Sequence, residues 1–236
     1  MRLLAVLPHP DDESYSMGAT LARCAEAGVS VHVLCLTRGE GGPDRVAGRT
    51  GEDLANARAA ELRASCEILG AECTQWSFPD GLLPTVKDGP RALAEFVARL
   101  RPDAVVTLGA DGAYGHVDHL AATSWVDELD VPRTLHVAFP LGLFSKMHRY
   151  LRRRPFVVAD PGPLGTPRED VDLVAPVGAL RERKLASMAA HATQCGGQAQ
   201  NLLPVDIEPL LVEEWFTIAR GTPIPPGAVL PTDGLG

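Results

Sequence analysis

The chain has 236 residues, 45% of them hydrophobic, and a formal net charge of -8. That length is enough for one large core, so we expect a single domain over residues 1–221, with the proline-rich stretch 222–236 as a tail. An acidic chain lacks the basic surface that nucleic acid or an anionic membrane requires, so neither is an expected partner. No apolar stretch approaches the roughly 18 residues of a membrane span, which predicts a cytoplasmic protein.

An apolar run near the amino terminus leads directly into a polar cluster. Residues 3–7 read Leu-Leu-Ala-Val-Leu, and the next residues include His9, Asp11 and Asp12 between and after two prolines. Such a run is typical of a buried parallel strand, and prolines restrict the backbone that follows it. Because open α/β sheets bind ligands beyond the carboxyl ends of their strands, this cluster is a candidate site.

Strands and helices alternate along the rest of the chain. Glycines after two helical segments, and valine-rich runs between them, support the assignment. The predicted helices cover residues 17–27, 52–69, 90–100, 117–128, 178–191 and 209–220, and the predicted strands cover 29–37, 72–78, 104–108, 134–139 and 171–177. Residues 140–167 show no legible order. The alternation predicts right-handed crossovers, a mostly parallel sheet and an α/β Rossmann-like three-layer sandwich.

A second polar motif follows the strand at 104–108. It contains His116 and His119, which would share a face of a helix that begins there. Divalent metals such as zinc accept imidazole and carboxylate together, so His9 and Asp12 are plausible ligands and this motif would supply a third. The five cysteines have no CxxC spacing and predict buried thiols instead of metal ligands.

The HPDDE opening, the HVDH motif and their separation resemble the PIG-L/LmbE family of zinc-dependent N-acetylglucosaminyl deacetylases. The resemblance implies that His9, Asp12 and His119 hold the metal and that Asp11 is the general base. Zn²⁺ is the implied cofactor, although Fe²⁺ and other divalent ions suit the same ligands.

Four further residues are candidates for catalysis or substrate binding. His116 would be protonated and donate to the oxyanion, and Asp118 would either raise its pKa or cap the helix. Arg58 matches a family arginine linked to substrate or carboxylate binding, although its spacing from Glu61 also fits a surface ion pair. Asp80 lies in a turn signal, and similar family segments help to hold sugar hydroxyls.

The resemblance predicts a hydrolase that removes an N-acetyl or related acyl group from an N-acetylglucosamine-like small molecule. One alternative is a zinc amidase that cleaves a different amide, such as a thiol-cofactor conjugate or an antibiotic intermediate. A second alternative is a sugar- or nucleotide-binding module without catalysis. Homo-oligomer formation is left open.

Overall fold

A computed structural model describes residues 1–235, and one seven-stranded sheet organises that part of the chain. The strands are β1 Arg2–Leu7, β2 Ser30–Thr37, β3 Glu72–Phe78, β4 Ala104–Thr107, β5 Arg133–Ala138, β6 Leu173–Pro176 and β7 Glu213–Gly221. Their order in the sheet is β3-β2-β1-β4-β5-β7-β6. The first five strands run parallel, whereas β7 is antiparallel to both β5 and β6. The predicted mostly parallel α/β fold is confirmed.

Helices cover both faces of the sheet. They are α1 Asp12–Glu26, α2 Gly51–Leu69, α3 Gly89–Leu100, α4 Gly112–Gly115, α5 Val117–Asp127, α6 Ser145–Leu151, α7 Arg181–Ala190 and α8 Ala192–Cys195. Along β1, Leu3, Ala5 and Leu7 belong to the larger core cluster, while Leu4 and Val6 belong to the smaller one. This alternation is what a strand buried on both faces requires. Within residues 1–235, no helix is both long and apolar enough to cross a bilayer.

Two helix boundaries follow local chemistry, and one of them differs from the prediction. α2 ends where Gly70 adopts a left-handed conformation with φ of 76°, as the glycine in that position predicted. α1 begins at Asp12, five residues before the predicted start, so the acidic motif forms the first turn of the helix. The helix is interrupted at Met17, whose φ of -148° is not helical.

A buried carboxylate caps the part of α1 that follows this interruption. Glu214 on β7 accepts hydrogen bonds from the backbone N–H groups of Ala19 at 2.9 Å and Thr20 at 2.6 Å. The same carboxylate is 2.6 Å from Nζ of Lys184 on α7, and both charged side chains are almost fully buried. The break in α1 is therefore capped from the far end of the chain.

The helix predicted at 209–220 was wrong. A short 3₁₀ turn occupies Glu208–Leu211, and β7 follows it between β5 and β6. The physical reason is strand pairing on both sides, which overrides the helical propensity of the preceding leucines and glutamates. The Trp-Phe-Thr-Ile run, rich in aromatic and β-branched residues, was the available signal for a strand.

The segments that the sequence did not order both have defined places. Residues 140–167 include α6, and Val157 forms an isolated bridge with His116 beside the second motif. Residues 222–235 lie against Arg133, whose guanidinium donates to the carbonyl groups of Thr222, Pro223, Pro231 and Asp233 at 2.7–2.8 Å. Both segments thus pack against the domain.

Candidate metal centre

The two sequence motifs meet where the strand order reverses. β1 and β4 are neighbours, and the order 3-2-1 on one side becomes 4-5 on the other. The loop after β1 carries His9, Asp11 and Asp12, and the segment after β4 carries His116 and His119. Such a switch point is where an open α/β sheet forms its ligand cleft.

His119 presents one nitrogen without a partner. Its Nδ1 lies 3.1 Å from the carbonyl oxygen of Gly112, so Nδ1 carries the hydrogen and Nε2 keeps a lone pair. Nε2 is buried and has no hydrogen-bond partner among the described residues, and it lies 3.7 Å from Oδ1 of Asp12. Burial lowers the pKa of His119 to about 4, so the ring is neutral and able to bind a metal.

Asp12 is held in place from both sides. Its Oδ1 accepts from the hydroxyl of Tyr15 at 2.8 Å, and its Oδ2 accepts from the backbone N–H of His9 at 2.9 Å. Burial acts to raise the pKa of Asp12, but the facing His119 and His9 rings hold it below its usual range. The carboxylate is therefore ionised, as a metal ligand must be.

His9 lies between three carboxylates. Its Nδ1 is 3.5 Å from Oδ2 of Asp12, while its Nε2 is 3.1 Å from Oδ1 of Asp80 and 3.2 Å from Oδ2 of Asp118. Burial would lower the pKa of His9, but the hydrogen bonds to these carboxylates raise it well above its usual value. To bind an ion through Nδ1 the ring would release the Nδ1 proton, while Nε2 would keep its contacts with Asp80 and Asp118, as the second nitrogen of a metal-binding histidine usually does.

Asp118 has a different partner from the one predicted. From the sequence, its carboxylate was expected either to raise the pKa of His116 or to cap the helix. The structure instead directs the carboxylate to His9 and to the backbone N–H groups of Gly81 at 2.6 Å and Leu83 at 2.9 Å. The turn after β3 supplies these donors, and its position could not be read from the local sequence.

His116 lies in the site but is neutral. Its Nδ1 accepts from the backbone N–H of Asp118 at 3.1 Å, and its ring lies 4.8 Å from that of His119. Burial is the main cause that lowers the pKa of His116 to about 2, and the nearby His9 acts in the same direction. A protonated ring was predicted from the sequence because the Asp118 carboxylate was expected beside His116, whereas it faces His9. Phe156 packs against the same ring, with centroids 5.3 Å apart.

Asp11 faces the site with an unusual backbone. Its φ is 118°, in the region that side-chain-bearing residues rarely adopt. Burial raises the pKa of the Asp11 carboxyl to about 7, while Arg58 acts in the opposite direction. The carboxylate oxygen Oδ2 lies 3.1 Å from Nη2 of Arg58.

Arg58 is buried next to Asp11. It is 3% exposed, and its guanidinium donates to the carbonyl oxygen of Gly39 at 2.9 Å and to that of Pro10. A Cβ on Gly39 or Gly42 would collide with that guanidinium, so the glycines after β2 make room for it. Arg58 therefore contacts the site through its ion pair with Asp11. Its burial contradicts the alternative of a surface ion pair with Glu61.

Asp80 also reaches the site. Besides its contact with His9, its Oδ2 accepts from the backbone N–H of Gly41 at 2.9 Å, and its own N–H donates to Glu40 at 3.0 Å. The loops after β2 and β3 are thereby joined at the edge of the cleft.

Comparison with known proteins agrees with this geometry. A family model described as PIG-L, GlcNAc-PI de-N-acetylase, matches residues 4–129, the stretch that contains both motifs. A 1D-myo-inositol 2-acetamido-2-deoxy-alpha-D-glucopyranoside deacetylase of Nakamurella multipartita is 31% identical over 282 aligned residues, which cover 96% of this chain and 92% of the relative. The chain belongs to the PIG-L family.

Solved structures share the fold at lower identity. An N,N'-diacetylchitobiose deacetylase from Pyrococcus horikoshii has a TM-score of 0.63 and 21% identity, covering 92% of this chain and 83% of that one. GalB, a 4-carboxy-2-hydroxymuconate hydratase from Pseudomonas putida, has a TM-score of 0.69 and 20% identity, covering 96% and 99%. Because a hydratase has the same fold, the fold alone does not specify the reaction. The prediction of an N-deacetylase, an amide hydrolase, is confirmed through the PIG-L relatives.

The residues of this PIG-L protein fit a divalent metal ion. Ligand atoms of His9, His116 and His119 lie within 4.8 Å of one another, and Asp80 and Asp118 form a second such group with His9. The predicted ligand Asp12 places Oδ2 3.5 Å from Nδ1 of His9 and Oδ1 3.7 Å from Nε2 of His119. Ligand atoms about 2.1 Å from one tetrahedral ion are separated by roughly 3.4 Å, so these spacings suit a shared ion.

Three further residues contribute to the PIG-L site. Tyr15 bonds to Asp12 and was recognisable by its helical spacing of three residues from that ligand. The other two are Glu13, at the end of the HPDDE motif, and His191, which follows α7. Both belong to one buried hydrogen-bonded cluster, and no local signal linked residues so far apart in the chain.

Proposed function

We propose that this protein is a zinc-dependent N-deacetylase that removes an acetyl group from a small N-acetylglucosamine conjugate. The observation that carries the proposal is the buried, unpartnered Nε2 of His119 beside the ionised Asp12. An orphaned imidazole nitrogen in a buried polar cluster is costly unless a ligand completes it.

Three residues would hold the ion in this proposal: His9, Asp12 and His119. Bound zinc lowers the pKa of water to about 7 and polarises the amide carbonyl. Asp11 lies next to a ligand in sequence and faces the same cleft, which supports its role as general base. Its carboxylate would take the proton from the attacking water and return it to the departing amine.

His116 supports catalysis as a neutral donor in this proposal. Because its Nδ1 accepts the backbone N–H of Asp118, the ring proton resides on Nε2. Nε2 would donate to the acyl oxygen as negative charge develops there, a contribution typically worth about 3 kcal/mol of barrier. Asp118 would act through His9 and through the turn after β3.

The substrate belongs to the same proposal. The Nakamurella relative is named for deacetylating a glucosaminyl inositol, so that class is the first to test. Asp80, at the edge of the cleft, would bind sugar hydroxyls, while Arg58 would act through Asp11 and the loop after β2. A cytoplasmic location remains a prediction from the sequence, which leaves homo-oligomer formation open.

The deciding experiment combines metal analysis with a primary-amine release assay. The purified protein would be loaded with Zn²⁺ or Fe²⁺ and offered N-acetylglucosaminyl inositol, N-acetylglucosamine and a larger thiol-conjugate amide. We expect about one metal per chain and amine release from an acetylated sugar. Release from the conjugate alone would favour the amidase, and nucleotide binding without metal or turnover would overturn the proposal in favour of a binding module.

A further inference from the structure

A buried acid–imidazole pair lies directly behind Asp11. Nε2 of His191 is 2.6 Å from Oε1 of Glu13, and both side chains are fully buried. The hydroxyl of Ser65 on α2 donates to the same oxygen at 2.5 Å. The second oxygen of Glu13, Oε2, accepts the backbone N–H of Asp11 at 3.1 Å.

The backbone of Asp11 needs support of this kind. A φ of 118° at a residue with a Cβ persists only when its surroundings over-determine it. The carbonyl oxygen of Asp11 accepts from the N–H of Ser14 at 3.0 Å and from its hydroxyl at 2.7 Å. Glu13 holds the N–H on the other side, so its carboxylate helps to set the direction in which the Asp11 side chain leaves the chain.

The segment that begins at His191 also holds the loop after β2. The carbonyl oxygen of Thr193 accepts the N–H of Arg45 at 2.7 Å, and the amide of Gln194 donates to the carbonyl oxygen of Pro43 at 2.7 Å. Thr193 itself is anchored by Glu61 on α2, with two contacts of 2.7 Å. One short segment therefore contacts both the support of Asp11 and the loop that surrounds Arg58.

We infer that Glu13 and His191 are positioning residues, which hold the Asp11 backbone in its strained conformation and so aim the carboxylate of the general base. The inference rests on the proposed deacetylase function. A pair that served only to fill the core would be replaceable by apolar side chains at little cost, since burying two charged groups costs about as much as their attraction returns. Here the second carboxylate oxygen is committed to the backbone of a site residue, which an apolar side chain cannot reproduce.

Three variants test the pair, with Ser187→Ala as the matched control. Ser187 is buried on α7, and within residues 1–235 its hydroxyl bonds only to the carbonyl oxygen of Lys184. His191→Leu removes the hydrogen-bond donor to Glu13. Glu13→Gln replaces the carboxylate acceptor with a neutral amide. His191→Gln restores a donor in the form of an amide N–H. We expect kcat to fall roughly 10- to 100-fold in His191→Leu and Glu13→Gln, with KM and metal content within twofold of wild type, because a misaimed base slows turnover without removing substrate contacts. His191→Gln should recover part of the loss.

A second readout does not depend on turnover. Hydrogen exchange of the peptide covering residues 8–14 should rise at least about tenfold in His191→Leu and stay at the wild-type rate in Ser187→Ala. Unchanged exchange in that peptide, or wild-type kcat in His191→Leu, would overturn the inference. If the wild-type protein released no amine from any substrate while His191→Leu still showed the exchange change, the proposed function would be refuted and the positioning role would be supported.

Discussion

Replacing Glu214 with Gln should destabilise the fold far more than the same change at its neighbour Glu213. Glu214 is 2% exposed, and its carboxylate accepts hydrogen bonds from Ala19 and Thr20 in the interrupted α1 and from Lys184. Glu213 pairs with Arg168 at the surface, where its side chain is 28% exposed and that of Arg168 is 55% exposed. The two positions are adjacent on one strand, so they form a matched comparison.

The magnitude follows from what each change leaves behind. Glu214→Gln leaves the buried ammonium of Lys184 without a counter-charge, and removal of one partner of a buried pair typically costs about 3–5 kcal/mol. An exposed pair such as Arg168–Glu213 contributes about 0–1 kcal/mol. The free energy of unfolding of a domain is typically about 5–15 kcal/mol, so the first loss is a large fraction of the total.

Thermal and urea unfolding measure the difference. For a chain of this length 1 kcal/mol corresponds to about 2–4 °C, so we expect Glu214→Gln to lower the Tm by roughly 6–20 °C and Glu213→Gln by less than about 4 °C. Adding Lys184→Met to Glu214→Gln should recover stability, since it removes the uncompensated charge. Equal losses at the two positions, or no recovery in the double variant, would refute the argument that a buried ion pair caps the break in α1.

Three further predictions concern the candidate site and the carboxyl-terminal segment. Asp11→Asn should lower kcat by about 10²–10⁴-fold while metal content, measured by elemental analysis, stays at the wild-type value; loss of metal with activity would instead make Asp11 a ligand. His119→Ala should remove most of the bound metal at equal metal concentration, and retention of one equivalent would exclude His119 from the ligand set. Arg133→Met should lower the Tm and expose residues 222–235 to limited proteolysis, because four carbonyl groups lose their donor; an unchanged cleavage pattern would show that this segment is held by other contacts.

Much of the fold could be predicted from the sequence because the signals for its strands, helices and turns are local. β1 is an unbroken apolar run, α2 ends at a glycine, and the two histidine-containing motifs follow strands that turned out to be neighbours. Apolar periodicity and turn chemistry act within a few residues, so a single sequence reveals them. The convergence of His9, Asp12 and His119 followed from the rule that parallel strands deliver their carboxyl ends to one edge.

What only the tertiary structure decided depends on partners that are distant in the chain. Residues 213–221 form a strand because β5 and β6 offer hydrogen-bonding edges on either side. The presence of these two neighbours cannot be read from the sequence of residues 213–221. Asp118 faces His9 and not His116 because the turn after β3 supplies backbone donors to it. The Glu13–His191 contact joins residues 178 positions apart. The sequence by itself determined which groups are available for the chemistry, whereas packing determined their contacts, because the pairing and protonation of a buried polar group depend on every element that surrounds it.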